Sequence, residues 1–250
     1  MTRATVLIPT HEHPQLLPFA IASARFQTEL AIEIFVVCDG AGAETLEVAR
    51  TEAKRDHRVR IFENPKGERH GEAHRHAALA VAAGEIVCYL SDDDLWLPEH
   101  VGRMLALMGG RAEFGFTRPV AIGVDGEAKD LDPPADERAM KKRLRAGRNF
   151  VPLSAVGHRL ETYRRLRDGW GPAPADVYTD LFMWRKFVAA GATIAMHPDP
   201  TVCSFSTALR AANGWSMSQR VAEITAWWDR ILAGPKEVRR ALAAAVRSSP

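Results

Sequence analysis

Cysteine is scarce in this 250-residue sequence: Cys38, Cys88 and Cys203 are the only three, and they lie far apart. That excludes a disulfide framework. Cys38 and Cys88 sit inside apolar runs, where cysteine behaves as a small buried hydrophobe, as expected in a reducing compartment. No apolar run nears the roughly 20 residues that a membrane-spanning helix needs. The apolar stretch near Met1 is too short for a signal peptide. The expected location is therefore cytoplasmic, with peripheral membrane contact left open. Net charge is nearly missing as well, 33 basic against 31 acidic side chains, which argues against nucleic acid as a partner. Internal repeats and linker-like segments are absent too. What is present is an ordinary soluble composition, 46% hydrophobic and 26% charged, on a chain long enough to bury a large core.

Strand-like and helix-like patterns alternate over the first hundred residues. Residues 4–8 form an apolar run stopped by Pro9, followed by Leu16, Leu17, Ala20, Ile21 and Ala24 at helical spacing. A second strand over 32–38 ends at Asp39 and Gly40. A helix over 43–55, a strand over 59–62 and a helix over 72–83 closed by Gly84 follow. A third strong strand over 86–90 runs into Ser91, Asp92, Asp93 and Asp94, and Pro98 is placed to open another helix. Fully apolar strands alternating with helices predict an α/β fold, a mostly parallel sheet with helices on both faces. In such sheets ligands gather at the carboxyl ends of strands. Residues 10–13, Asp39 and Asp92 to Asp94 all fall there.

Beyond Glu113 the pattern predicts a strand at 114–116, a polar stretch over 124–149, a strand over 153–156 and a helix from about Arg159. Further helices are expected over 179–190, 216–232 and 235–246. The organisation expected is one domain over 1–204 with a helical extension over 205–250. Ile224, Trp227, Trp228 and Ile231 share a helical face suited to packing that extension onto the body. The basic run 138–148 reads as a solvated helix face or as a mobile loop near an anionic ligand.

Three adjacent carboxylates repel one another unless a cation neutralises them. Oxygen-only ligands suit Mg²⁺ or Mn²⁺, which bridge to substrate phosphates. The alternative is a solvated turn with one aspartate capping the next helix. His70, His74 and His76 lack further partners at zinc spacing.

Four motifs in this order resemble glycosyltransferase family 2. Val6-Leu7-Ile8-Pro9-Thr10-His11-Glu12-His13-Pro14 is similar to the family's first strand and loop, and Phe35-Val36-Val37-Cys38-Asp39-Gly40 to its second strand. Arg75, Gly84-Glu85, the strand, Ser91-Asp92-Asp93-Asp94 and Trp96-Leu97-Pro98 resemble its core. Thr179-Asp180 with Phe182, Met183, Trp184 and Gly191 resembles its catalytic helix. The surroundings of His158-Arg159 and 179–187 are similar to the spore-coat polysaccharide type. Glu12, Cys38, His76 and Thr179 depart from the usual Asn, Asp, Asn and Glu.

The resemblance implies a GT-A fold with a nucleotide-sugar-binding half, 1–112, and an acceptor half, 113–204. It implies an inverting, metal-dependent transfer of a sugar from a nucleoside diphosphate sugar, UDP- or dTDP-type, to a carbohydrate or other hydroxyl acceptor, in polysaccharide or glycoconjugate biosynthesis. Pro9, Thr10, Glu12, Asp39, Arg69, Arg75, Asp92 and Asp93 would hold the donor, and Asp92, Asp93 and Asp94 would hold Mn²⁺ or Mg²⁺. Asp180 would take the acceptor proton, with plain helix capping as its alternative. Glu12 could instead cap the helix after Pro14. His158 and His197 are secondary candidates for acceptor or diphosphate contact. The competing functions are a sugar nucleotidyltransferase, for which the loop after the first strand lacks a Gly-rich, Lys-containing sequence, and a non-catalytic nucleotide-sugar-binding module.

Overall fold

The computed structural model describes residues 1–247. Largely apolar strands at the centre of the sheet and helices with an apolar stripe follow one another as the periodicities predict. In chain order they are β1 (Ala4–Thr10), α1 (Leu17–Arg25), β2 (Ile32–Asp39), α2 (Ala43–Arg55), β3 (Val59–Asn64), α3 (Glu72–Ala80) and β4 (Ile86–Tyr89). Then come β5 (Leu95–Trp96), α4 (His100–Gly109), β6 (Phe114–Thr117), β7 (Val120–Ile122), β8 (Ala128–Asp130), α5 (Glu137–Arg145), β9 (Val156–Arg159) and α6 (Leu160–Arg164). The chain continues through α7 (Thr179–Ala189), β10 (Ile194–His197), β11 (Val202–Cys203), α8 (Thr207–Ala212), α9 (Met217–Ala233) and α10 (Pro235–Arg247).

Seven strands form the main sheet in the order β10-β6-β9-β4-β1-β2-β3. Only β9 runs antiparallel to its neighbours, β4 and β6. β1, at the centre of the parallel part, pairs with β2 from Ala4↔Ile32 to Thr10↔Cys38 and with β4 from Ala4↔Ile86 to Leu7↔Tyr89. Its interior is buried on both faces, which is why it reads as a continuous apolar run rather than an alternating one. The parallel register brings the carboxyl ends of β1, β2 and β4 to the same edge of the sheet.

Three expectations are corrected. Residues 153–156 are not one strand: Leu153–Ala155 is a single 3₁₀ turn that leads into β9. Pro98 does not open a helix, because Leu95–Trp96 pairs with Val202–Cys203 and α4 begins only at His100. The polar stretch 124–149 contains β8 and α5. Met140 and Leu144 of α5 are buried while its basic side chains face outward, the solvated-face alternative for this run.

A second apolar cluster lies apart from the sheet core. Leu16, Leu95, Leu97, Val120, Ile122, Cys203 and Phe205 pack with Ile224, Trp227 and Ile231 of α9 and with Val238 and Leu242 of α10. The boundary expected at residue 204 falls inside this cluster. Trp228 packs edge-on against Phe26 at 5.8 Å. Among the described residues no helix is long and apolar enough to cross a membrane.

Ile231 is fully buried in the second cluster. Ile231→Ala should cost about 2–5 kcal/mol through lost burial and a residual cavity. Urea unfolding measures it, and a loss under about 1 kcal/mol would mean that α9 contributes little to the folded body.

Candidate functional site

The carboxyl ends of β1, β2 and β4 border a cleft of about 280 Å³, lined among others by Thr10, Asp39, Lys66, Arg69, Arg75, Asp92 and Asp93. At its β2 end, Asp39 is buried beneath the loop that follows β3. Lys66 Nζ donates to Asp39 Oδ2 at 2.6 Å and the Gly67 N–H donates to Oδ1 at 2.6 Å. Burial pushes this carboxyl upward, but those donors outweigh it and hold it below the usual aspartate range. Two glycines permit the close approach. Gly40 has φ +62° and a Cβ there would lie 2.6 Å from Lys66 Cβ; Gly71 has φ +70° and a Cβ would lie 2.6 Å from Asp39 Cγ. The loop thus lies over Asp39 only because two side chains are missing.

The three aspartates after β4 are buried yet point to three different sets of partners. Asp92 accepts from Thr10 Oγ1 at 2.7 Å, and its other oxygen lies 3.0 Å from His13 Nδ1. The hydrogen bond to Asp92 raises the His13 pKa against the opposing effect of burial. Asp93 Oδ2 accepts from Thr207 Oγ1 and from Arg220 Nη2, the latter at 2.8 Å. Asp94 is turned into the interior, accepting from Ser154 Oγ at 2.5 Å and from the Phe205 N–H at 2.7 Å. Burial, and Asp93 next to it, push Asp94 up to about 7.

The three carboxylates therefore do not converge on a single Mn²⁺ or Mg²⁺ position. Asp94 has both oxygens committed to the protein interior, and a guanidinium already sits on Asp93. Among the described residues no group of three His, Cys, Asp or Glu side chains converges closely enough to hold a metal ion.

Asp180 lies in the first turn of α7, one residue after Thr179. The helix cap is Tyr178, which makes no side-chain capping bond, so Asp180 is not the N-cap. Asn149 Nδ2 donates to its Oδ2 at 2.9 Å and the Leu181 N–H to its Oδ1 at 2.7 Å. Burial outweighs these donors and raises its pKa. Asp180 does not line the cleft itself. Arg75, which does, is the connection: its charge acts on both Asp180 and Asp39, and its guanidinium lies 4.9 Å from the Trp170 ring centroid. Arg75 Nε is buried without a partner among the described atoms. Beside it, Thr179 Oγ1 donates to Glu72 Oε1 at 2.7 Å. A buried carboxylate from α3 therefore stands next to the position where the family-like motif has lost its own glutamate.

Of the residues expected from the sequence, Pro9, Thr10, Asp39, Arg69, Arg75, Asp92 and Asp93 come together around the cleft. Glu12 does not: it is exposed, and α1 has no side-chain cap, so the capping alternative is not realised either. Its neighbours His11 and His13 line the cleft instead. His158 is wholly buried in the core, 2.7 Å from Tyr89 Oη and stacked on Tyr163, and burial lowers its pKa to about 4. It therefore serves packing rather than ligand contact. His197, at the end of edge strand β10, accepts from the Asp199 N–H and lies outside the cleft. Sequence reasoning missed Glu72 and Arg220, set Lys66 aside as an exposed loop residue, and placed His11 and His13 only as part of the strand-end segment 10–13. The two histidines stand directly after the carboxyl end of β1, the position that marks the rest of the cleft. Nothing local marks Arg220, which lies 127 residues from Asp93.

Comparison with known proteins gives these residues a context. The family model described as Glycosyl transferase family 2 matches residues 5–165. An uncharacterised glycosyltransferase of Nostoc sp. is 28% identical over 174 residues, 66% of this chain and 53% of that protein, so the chain spans about half the length of this relative. Staphylococcus aureus TarS (1–349) in complex with UDP-GlcNAc superposes with a TM-score of 0.65 at 15% identity, covering 98% of this chain and 71% of that one. The mannosyltransferase PcManGT from Pyrobaculum calidifontis, in complex with GDP-Man and Mn²⁺, gives 0.56 at 19% identity, covering 99% and 76%. The mostly parallel sheet thus has the GT-A architecture of these glycosyltransferases.

Asp94→Ala should destabilise the fold by about 2–3 kcal/mol, since it leaves the Phe205 N–H and the Ser154 hydroxyl unpaired in a buried place. Chemical denaturation reads the loss. An unchanged midpoint would contradict the interior role given to this carboxylate.

Proposed function

The chain belongs to glycosyltransferase family 2, and from that premise we propose that it transfers a sugar from a nucleoside diphosphate sugar to an acceptor hydroxyl with inversion at the anomeric carbon. The observation that carries this reading is the convergence of Thr10, Asp39 and the Asp92–Asp93 pair from the ends of three parallel strands, β1, β2 and β4, on one cleft that Lys66, Arg69 and Arg75 also line. Carboxylates suit the base and ribose of a nucleotide, whose N–H and O–H groups are donors. The cations suit its diphosphate. Asp39 already accepts two hydrogen bonds, but a carboxylate offers about four lone-pair sites, so a nucleobase donor can be added.

In the proposed reaction the acceptor oxygen forms its bond to the anomeric carbon as the bond to the diphosphate oxygen breaks. Asp180 takes the hydroxyl proton, and the nucleoside diphosphate leaves with the electron pair. One displacement with one base and no protein nucleophile inverts the centre. Residues 1–112 would carry the donor and 113–204 face the acceptor. The UDP- or dTDP-type of the donor, and a place in polysaccharide or glycoconjugate assembly, are part of the same proposal. They are supported by the resemblance to the spore-coat type and, for the UDP type, by the UDP-GlcNAc complex of the TarS neighbour. A resident Mn²⁺ or Mg²⁺ would add charge to the leaving diphosphate.

Asp180→Asn should lower transfer by about 10²- to 10⁴-fold, the usual worth of a general base, while UDP or GDP binding measured by calorimetry stays within about twofold. Only the carboxylate form of Asp180 can accept the proton. Its raised pKa therefore predicts a rate that falls, as pH is lowered, at a pH above the ordinary aspartate range. The acidic limb should vanish in the Asn variant. Joint loss of nucleotide binding and thermal stability would reduce Asp180 to a structural residue.

A further inference from the structure

Glycosyl transfer at this cleft raises a problem of charge: a donor diphosphate must approach the edge of a buried aspartate cluster. We infer that Arg220, carried by α9, is the resident counter-cation of Asp93, and that it allows the donor diphosphate to bind without a divalent metal. The inference rests on the nucleotide-sugar reading above and adds to it a role for the C-terminal helices.

The geometry places the guanidinium where a cation is needed. Arg220 Nη2 lies 2.8 Å from Asp93 Oδ2 and 3.0 Å from Thr207 Oγ1, which itself donates to the same carboxylate oxygen. Both side chains of the pair are about one-tenth exposed, so the attraction is only weakly screened by water. Asp93 and Thr207 line the cleft, whereas Arg220 stands behind them. Its action on a ligand is therefore exerted through Asp93, as a positioning residue.

The mount of Arg220 is rigid. Arg210 of α8 is wholly buried and its Nε and Nη2 reach the two oxygens of Glu223 on α9, a fork that ties the two helices together on either side of Asp93. Ile224, one turn after Arg220, packs in the second apolar cluster. A fixed guanidinium satisfies part of the demand that a metal ion would otherwise meet, which accounts for the dispersal of the three carboxylates over separate partners. A divalent ion on the same oxygen of Asp93 would have to displace Arg220 or sit beside it against charge repulsion.

Calorimetric binding of UDP and of GDP to the full chain, in EDTA and in Mn²⁺, tests the inference. In the wild-type protein the affinity for whichever nucleotide binds should differ by less than about threefold between the two conditions. Arg220→Ala should bind about 10- to 100-fold more weakly in EDTA, and Mn²⁺ should restore most of that loss by entering the vacated place. Arg220→Lys should retain most of the metal-free affinity. A merely structural arginine would show no rescue by Mn²⁺. If Arg220→Ala fails to fold, the wild-type comparison and Arg220→Lys still decide. Wild-type binding that requires Mn²⁺ overturns the inference and leaves the transferase reading intact. Absence of binding to either nucleotide under both conditions would overturn the two together.

Discussion

Repulsion among carboxylates at the end of β4 is the constraint around which much of this molecule is built. Asp92, Asp93 and Asp94 are consecutive and all buried, and none could remain ionised there without donors or cations. The fold answers each one separately: the first strand's loop supplies Thr10 and His13, the α8–α9 segment supplies Thr207 and Arg220, and the middle of the chain supplies Ser154. Segments distant in sequence are thus drawn to one point by electrostatic demand as well as by apolar packing.

The other end of the cleft is governed by sterics. Asp39 has no neighbouring carboxylate to offset, and what it needs is access for donors. Gly40 and Gly71, both with positive φ, let the loop after β3 close until Lys66 and the Gly67 N–H reach the carboxylate. The cleft therefore joins two differently made halves, one shaped by missing side chains and one by compensated charge. Arg75 lines the same cleft, buried, and its field reaches both Asp39 and, outside the cleft, Asp180.

The centre of the parallel part of the sheet was legible in the sequence because β1, β2 and β4 are largely buried on both faces and read as apolar runs. β1, β2 and β4, and with them Thr10, Asp39, Asp92 and Asp93, could be placed from pattern alone. Short elements were less legible. β5 and β11 have two residues each, and pairing over so short a length depends on tertiary neighbours rather than on propensity. The histidines illustrate a second limit: His158 and His13 look alike as letters, yet one is sealed in the core and the other touches Asp92. Arg220 shows a third, since an arginine on a helix gives no local sign of a partner more than a hundred residues away.

The reversed strand β9 sets an order of assembly. β3, β2, β1 and β4 are all made before residue 90, and their parallel pairings need nothing from later in the chain. β6 cannot join them directly, because β9 lies between it and β4. Until about residue 159 has been added, β4 keeps one edge open; Ser154 reaches Asp94 from just before that point, and Phe205, Thr207 and Arg220 come only later. During synthesis the Asp39 side of the cleft can therefore take shape while its acidic corner is only partly compensated, by Thr10 and His13 on Asp92, and the α8–α9 segment completes it later.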